Sequence, residues 1–437
     1  MTPPAGNDAH PAGSTGRGEW RVWARIGLQS FGGPAAQIAV MHRVLVEELH
    51  WFDEPEFLRA LGFCMLLPGP EAMQLATYAG WRRHGVRGGL MAGLWFVLPG
   101  AAVVTSLAAF YVAFGHAPAV AALFLGIKAA VLVLVFEAVA RLGRRALKRP
   151  WHRWMAIAAF VALAAFAVPF PFVVLAAGGI GAFASRGAGD ASTPVATPGA
   201  WRTSVRAALA WGAIWAVPLV AVAMLAGPRH VLAQLGGFFS KLAVVTFGGA
   251  YAVLSYMAQE VVQRHGWLSA GQMVDGLGLA ETTPGPLILV TVFVGFLAAA
   301  NAHPAHAQAF GLAGAAIALW ATFVPCFLWI FTGAPYIERI ASQPRLRGAL
   351  EGITAAVLGV IANLAVWFSM HVLFSVVRTG SLGVLHGSLP DVMTLEWRPL
   401  VLAALAAVLF LRLRWSVHRT LAASALAAWG LSLVLPR

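Results

Sequence analysis

Residues 61–77 read LGFCMLLPGPEAMQLAT and residues 277–293 read LGLAETTPGPLILVTVF, two copies of one pattern 216 positions apart. In each copy an apolar run is cut by Pro-Gly-Pro, at Pro68-Gly69-Pro70 and again at Pro284-Gly285-Pro286. Working outward, the same offset carries Phe31-Gly32-Gly33 onto Phe247-Gly248-Gly249 and Trp51 onto Trp267. After a loop that is longer in the second copy the offset becomes 226, so that Pro99 meets Pro325 and Gly126-Ile127 meets Gly352-Ile353. Register held through Trp and Pro landmarks marks a duplication rather than low complexity.

The surroundings of these motifs are apolar. Of 437 residues, 59% are hydrophobic and 11% charged, against about 25% charged in a soluble domain; mean hydropathy is +0.76. Long apolar runs with so little charge predict transmembrane helices and exclude soluble fold classes. The formal charge of +13 would suggest nucleic acid in a soluble chain, but here the basic residues fall in short loops, as the positive-inside rule requires. Cys64 and Cys326 both lie within apolar spans without CxxC spacing, so neither a disulfide nor a metal site is expected. HExxH, GxSxG, Walker A and Rossmann motifs in their required contexts are lacking, which points away from an enzyme, a cofactor and a nucleotide-driven pump.

The expected fold is an all-α polytopic membrane protein. Apolar spans fall at 20–46, 56–80, 88–114, 119–141, 154–169 and 171–185, and again at 233–260, 270–299, 307–334, 347–375, 398–413 and 419–436. One more, at 203–226, lies between the sets, which makes about thirteen; the last two of each set are short for a crossing. The domain reading is a disordered tail over 1–18, a first repeat over 19–185, a linker with the extra helix over 186–232, and a second repeat over 233–437. With that count Arg229, Arg378, Arg398 and Arg437 share one side, against twenty-one Lys or Arg residues on the other. The basic side, and with it the N-terminus, is read as cytoplasmic and the C-terminus as periplasmic. A single helix between two sets of six turns the second set over, giving inverted-topology repeats, an arrangement of alternating-access transporters.

Four helix breaks fall where a plain membrane helix has none: the two FGG motifs and the two PGP motifs. Proline removes a backbone donor and pushes the residue before it out of helix, and irregular backbone at membrane depth persists only inside protein or along a wet cavity. A half-helix starting after each PGP aims free N–H groups and a positive dipole end at an anion. The candidate binding residues are therefore Phe31, Gly32, Gly33, Pro68, Gly69, Pro70 and Gln74 with Phe247, Gly248, Gly249, Thr282, Thr283, Pro284, Gly285 and Pro286; Thr77 shares a helical face with Gln74. Arg25 aligns with Lys241; because a basic residue at a helix centre costs roughly 2.5–3.5 kcal/mol, the pair is read either as a divided cationic clamp or as side chains snorkelling to the interface. Lys128, Glu137, Glu71 and Glu281 are the intramembrane candidates for ion coupling, with a plain Lys128–Glu137 ion pair or snorkelling to the interface as the alternatives for the first two. Gly89/Gly93, Gly348/Gly352 and the Gly178–Gly181 run are read as close helix packing.

These motifs, taken together, resemble the chromate ion transporter family in its long, two-repeat form. The resemblance rests on Phe31-Gly32-Gly33-Pro34, Leu67-Pro68-Gly69-Pro70, Met73-Gln74-Leu75-Ala76, Leu98-Pro99-Gly100 and Ala280-Glu281-Thr282-Thr283-Pro284-Gly285-Pro286-Leu287, and spans nearly the whole chain. Glu71 departs from the neutral polar residue expected there. The resemblance implies export of chromate across the bacterial inner (plasma) membrane by a proton- or potential-coupled secondary transporter. Another tetrahedral oxyanion such as sulfate, an anion channel and a membrane scaffold stay open as alternatives. The expected partners are chromate or a related oxyanion and the lipid bilayer, with no nucleic acid; a homodimer is an open option.

Overall fold

A computed structural model describes residues 18–31, 33–115, 117–185, 200–247, 250–337, 343–382 and 385–435. Of the expected tail over 1–18 the residues 1–17, of the expected linker the residues 186–199, and the predicted site residues Gly32, Gly248 and Gly249 lie outside them. The chain is an integral membrane protein, and its described residues are mostly helical. Among the described residues, Glu71–Phe114, Pro118–Arg144, Trp201–Ala226, Pro304–Tyr336 and Pro344–Leu373 are each long and apolar enough to cross a membrane.

The remaining apolar spans are helical too, but in shorter pieces. The first is split into α1 (Glu19–Gln29) and α2 (Pro34–His42), the latter continued by a wider π turn over Arg43–Glu48. Next come α3 (Glu54–Leu66) and α4 (Glu71–Phe114). At 1.5 Å per residue, the 11 residues of α1 and the 13 of α3 reach about 16 and 20 Å, short of the ~30 Å hydrocarbon layer. Helices α5 (Pro118–Ala146), α6 (Pro150–Ala164), α7 (Phe170–Ala184), α8 (Ala200–Ala226) and α9 (Val231–Val245) follow. Beyond them lie α10 (Ala250–Ala258), α11 (Ala270–Thr282), α12 (Val290–Ala302), α13 (Ala307–Gly333), α14 (Pro344–Leu373), α15 (Trp397–Ala407) and α16 (Val417–Val434).

The all-α expectation needs one correction. Val377–Leu382 (β1) and Leu385–Pro390 (β2) form an antiparallel hairpin between α14 and α15, closed by Arg378 on Asp391 at 2.7 Å. This stretch is short and interrupted by glycines, which disfavours helix and leaves paired strands.

The packing divides the chain into two compact units, and each takes helices from both sequence repeats. One comprises residues 1–106, 190–250 and 283–343; the other comprises 107–189, 251–282 and 344–437. In the first unit α13 packs on α12, α8 and α9. There α4 turns back at His84 and Gly85, whose φ is +60°. Gly80 and Gly88 then lie on each other's carbonyls, although eight residues of continuous helix would hold them about 12 Å apart. The second repeat copies this hairpin at α12 and α13, with Gly295 on Gly314, and 314 is 88 moved by the offset of 226. A buried Glu19 ties α1 to the α4 turn through Arg83 at 2.7 Å and His84 at 2.9 Å.

In the second unit α14 packs on α5, α6 and α7, and α5 also carries α11, α15 and α16. Backbones approach closely at small residues, as the glycine spacing predicts: Gly181 meets the Gly348 carbonyl, Gly352 that of Ala177, and Gly359 that of Ala156. Glycines 89 and 93 face Phe331 and Phe327 within the first unit.

Candidate functional site: the paired Pro-Gly-Pro loops

Both PGP loops lie in the first unit, and each is held by backbone from the other repeat. The Gly69 N–H donates to the Thr246 carbonyl at 2.9 Å, and the Gly285 N–H donates to the Ser30 carbonyl at 2.8 Å. Thr246 is Ser30 moved by 216, and Gly285 is Gly69 moved by 216. Each acceptor sits at the end of the half-helix ahead of an FGG break, where carbonyls lack an intrahelical donor. The side chains match as well: Ser30 Oγ bonds the Ile26 carbonyl at 2.6 Å and Thr246 Oγ1 the Leu242 carbonyl at 2.5 Å.

The loops are opposed a second time by the third helix of the other repeat. A Cβ on Gly69 would lie 3.3 Å from Cys326 Sγ, and one on Gly285 would lie 3.5 Å from Gly100 Cα. Cys326 is Gly100 moved by 226. Gly100 itself is so close to the Pro284 carbonyl that a Cβ there would overlap it. Gly69 has φ +115° and Gly285 φ +92°, values that favour glycine. Backbone conformation and crowding thus both require the small residue at the centre of each motif.

Two glutamines complete the loops. Gln74 Nε2 donates to the Pro68 carbonyl at 2.6 Å, and Gln37 Nε2 to the Gly285 carbonyl at 2.7 Å. Gln37, which the sequence reading missed, is buried, as is the predicted Gln74. Thr77 and Thr322 are buried hydroxyls with no hydrogen-bond partner among the described residues. A buried unpartnered hydroxyl costs about 1–3 kcal/mol, so these two donors are left unspent in the first unit. The α4 arm begins at Glu71 and α12 follows a single 3-10 turn at Leu287–Leu289, so first-turn amides follow both loops. Pro284, Gly285 and Pro286 are buried, whereas Pro68 and Glu71 are half-buried. Phe31 and Phe247 are half-buried, Gly33 is buried with φ +82°, Thr283 is buried, and Thr282 bonds the Leu279 carbonyl.

The charged candidates are distributed differently. Arg25 is exposed on α1 and pairs with Glu48 at 2.9 Å; Lys241 is exposed on α9. Lys128 and Glu137 share α5 but do not pair: Glu137 takes Arg141, and Lys128 reaches Asp275 of α11 at 3.0 Å. Tyr111, at the end of α4, donates to the other Asp275 oxygen at 2.7 Å. Asp275 was absent from the sequence candidates, and it is buried. Glu281 is buried on the same helix. The second unit also holds a cavity of about 650 Å³ lined by polar, uncharged Gln259, Gln263, Asn363 and Ser388 with Trp367 and Met370.

Broken helices that exchange backbone contacts between repeats, inside an integral membrane protein, define a polytopic membrane transport protein of the broken-helix kind. The chain belongs to the chromate transporter family: that family model matches residues 20–182 and 233–431. It is 34% identical over 341 residues to the chromate transport protein of Pseudomonas aeruginosa, covering 77% of each chain. It is 30% identical to that of Cupriavidus metallidurans over 353 residues, or 78% of this chain and 80% of that one. A probable chromate transport protein of Synechococcus elongatus matches at 30% over 402 residues, 89% of this chain and 94% of its own. No solved structure matches.

Proposed function

We propose that the chain is a secondary transporter that exports chromate from the bacterial cytoplasm, with one oxyanion site at the paired PGP loops. The reading is carried by the reciprocal hold of Gly69 on Thr246 and Gly285 on Ser30, which supports a shared site with a pseudo-two-fold axis. Donors suit a tetrahedral dianion better than a cation: first-turn amides, the second N–H of Gln37 and Gln74, and the Thr77 and Thr322 hydroxyls. Thirteen crossings in two inverted sets, with a cytoplasmic N-terminus and periplasmic C-terminus, are the topology that fits this axis and the charge bias.

The drive is a proton gradient or the membrane potential. Moving two negative charges out of a negative-inside cell gains about 4.6 kcal/mol per 100 mV, so potential alone suffices for efflux. Arg25 and Lys241 stand six residues ahead of the breaks and serve as the divided clamp, Arg25 exchanging Glu48 for the dianion. Glu71 at the first turn of α4 competes with the anion for the helix end, which makes it a coupling group together with Lys128, Glu137 and Glu281.

Chromate uptake into everted vesicles, with sulfate as competitor, tests the reading. Accumulation that needs a gradient and resists excess sulfate is expected. Uptake abolished by equimolar sulfate would reassign the substrate, flux indifferent to gradients would indicate a channel, and no flux would end the reading.

A further inference from the structure

Lys128 Nζ lies 3.0 Å from Asp275 Oδ1 and Tyr111 OH lies 2.7 Å from Asp275 Oδ2. Both charged side chains are largely withdrawn from solvent, with 21% and 6% exposure. A buried ion pair is weak support for stability, since apolar replacements often serve as well, and intramembrane charge is functional by default. The duplication sharpens this point. The first-repeat position aligned with Asp275 is Arg59, an exposed residue on α3, and the second-repeat position aligned with Lys128 is Thr354. The equivalent pair of positions, Arg59 and Thr354, cannot form an ion pair, so the duplicated fold does not require one there. Helix α11 runs unbroken from Asp275 to Thr282, directly ahead of Thr283 and the second PGP motif.

We propose that Asp275 is the proton-binding group of the transport cycle, with Lys128 as its fixed counter-charge and Tyr111 as the hydroxyl that orients the carboxylate. This deepens, and rests on, the reading of the chain as a proton-coupled chromate transporter. In one state Asp275 is ionised and the pair is neutral. In the other, one proton from the acidic side occupies Asp275, Lys128 keeps its charge, and the pair carries +1. Re-forming the pair releases that proton to the other side, so one proton crosses per cycle and nothing else is consumed. Among the described residues, the groups facing Asp275 are Lys128 from α5 and Tyr111 from α4; α14 and α16, which also pack on α11, place no hydrogen-bonding or ion-pairing group on it there.

The test uses the full-length chain in proteoliposomes and compares two fluxes: chromate accumulation driven by an imposed pH gradient, and chromate–chromate exchange with no gradient. Asp275→Asn is expected to lose gradient-driven accumulation while exchange keeps its wild-type rate. Tyr111→Phe removes a single hydrogen bond to the carboxylate and should move the pH midpoint of transport upward by about one unit. Parallel loss of both fluxes in Asp275→Asn together with an unmoved midpoint in Tyr111→Phe would make the cluster merely structural and overturn the proposal. So would full gradient-driven accumulation by Asp275→Asn. Wild-type chromate flux that follows the membrane potential but ignores the pH gradient would also overturn the proton site while leaving the transporter reading in place; flux that ignores both gradients would remove the underlying reading instead, whatever the variants do.

Discussion

The Gly69 N–H donates to the Thr246 carbonyl at 2.9 Å, joining the PGP loop of the first repeat to the helix end ahead of the FGG break in the second. Its counterpart, Gly285 on Ser30 at 2.8 Å, repeats the contact with the two sequence halves exchanged. A hydrogen bond of this kind uses a carbonyl that the broken helix would otherwise leave unpaired. The breaks in one repeat therefore satisfy those in the other.

Because the acceptors are backbone atoms, Ser30→Ala and Thr246→Ala lose only a side-chain bond back to Ile26 or Leu242. Transport by both variants should stay within about threefold of wild type. Gln37→Leu and Gln74→Leu, by contrast, remove the donor that holds a loop carbonyl in a buried setting. Each should weaken transport by roughly tenfold, as expected for about 1–3 kcal/mol. Chromate uptake kinetics, normalised to protein in the membrane, check both statements.

Gly100→Ala places a methyl group against the Pro284 carbonyl, which is backbone and has no rotamer to adopt. The second PGP loop has to shift, so uptake should fall steeply while the protein still reaches the membrane. Cys326→Ala, at the equivalent place opposite the first loop, removes a polarizable side chain without a clash and should be mild.

Arg25→Gln and Lys241→Gln should each abolish most chromate flux with little change in membrane protein level, and Arg25→Lys should retain more than Arg25→Gln. The exposed pairing of Arg25 with Glu48 adds a control: Glu48→Gln frees Arg25 and should tighten apparent chromate affinity. Normal transport by the Arg25→Gln/Lys241→Gln double variant removes the clamp and leaves snorkelling.

Glu19 lies just before the first apolar span. Burial pushes its carboxyl up, but hydrogen bonds and charge from Arg83 and His84 outweigh this and hold it below its ordinary value. A group depressed in the folded state contributes stability above its unfolded value and loses it as pH falls through the folded one. Thermal stability of the purified chain should therefore fall on acidification below about pH 4.5, and Glu19→Gln should flatten that dependence. An unchanged acid limb in Glu19→Gln would show that the cluster does not stabilise the α1–α4 contact.

The helices and their breaks were legible in the sequence because Pro, Gly and apolar runs act locally: the described residues of the apolar spans are mostly helical, and Gly69 and Gly285 adopt the backbone that PGP demands. What pairs across the duplication was not legible. Gln37 has an apolar equivalent, Val253, so the repeat gave no hint of it. Asp275 sat inside a span read as apolar, and a search for carboxylates able to reach Lys128 would have found it. Glu137 looked like the partner of Lys128 by proximity in sequence, but at nine residues apart the two point to different sides of α5 and Arg141 is one turn from Glu137. The hairpin at Val377–Pro390 was hidden in a loop whose strands are short. The two spatial units, each drawn from both repeats, follow from long-range packing that no local pattern encodes.

The topology offers an independent check. Reporter fusions after residues 149 and 345 should both report cytoplasm and one at 437 should report periplasm. A cytoplasmic C-terminus would contradict inverted repeats.

The central claim is that the two PGP loops make one site. Gly69→Ala and Gly285→Ala each force a positive φ on a Cβ-bearing residue, at about 1–2 kcal/mol of strain. The deciding measurement is initial chromate uptake by everted vesicles carrying each single variant and the double. One shared site predicts that either variant alone removes most uptake and that the double is no worse than the weaker single. Two independent half-rate sites, with each single variant keeping about half the uptake and only the double losing it all, would contradict the account.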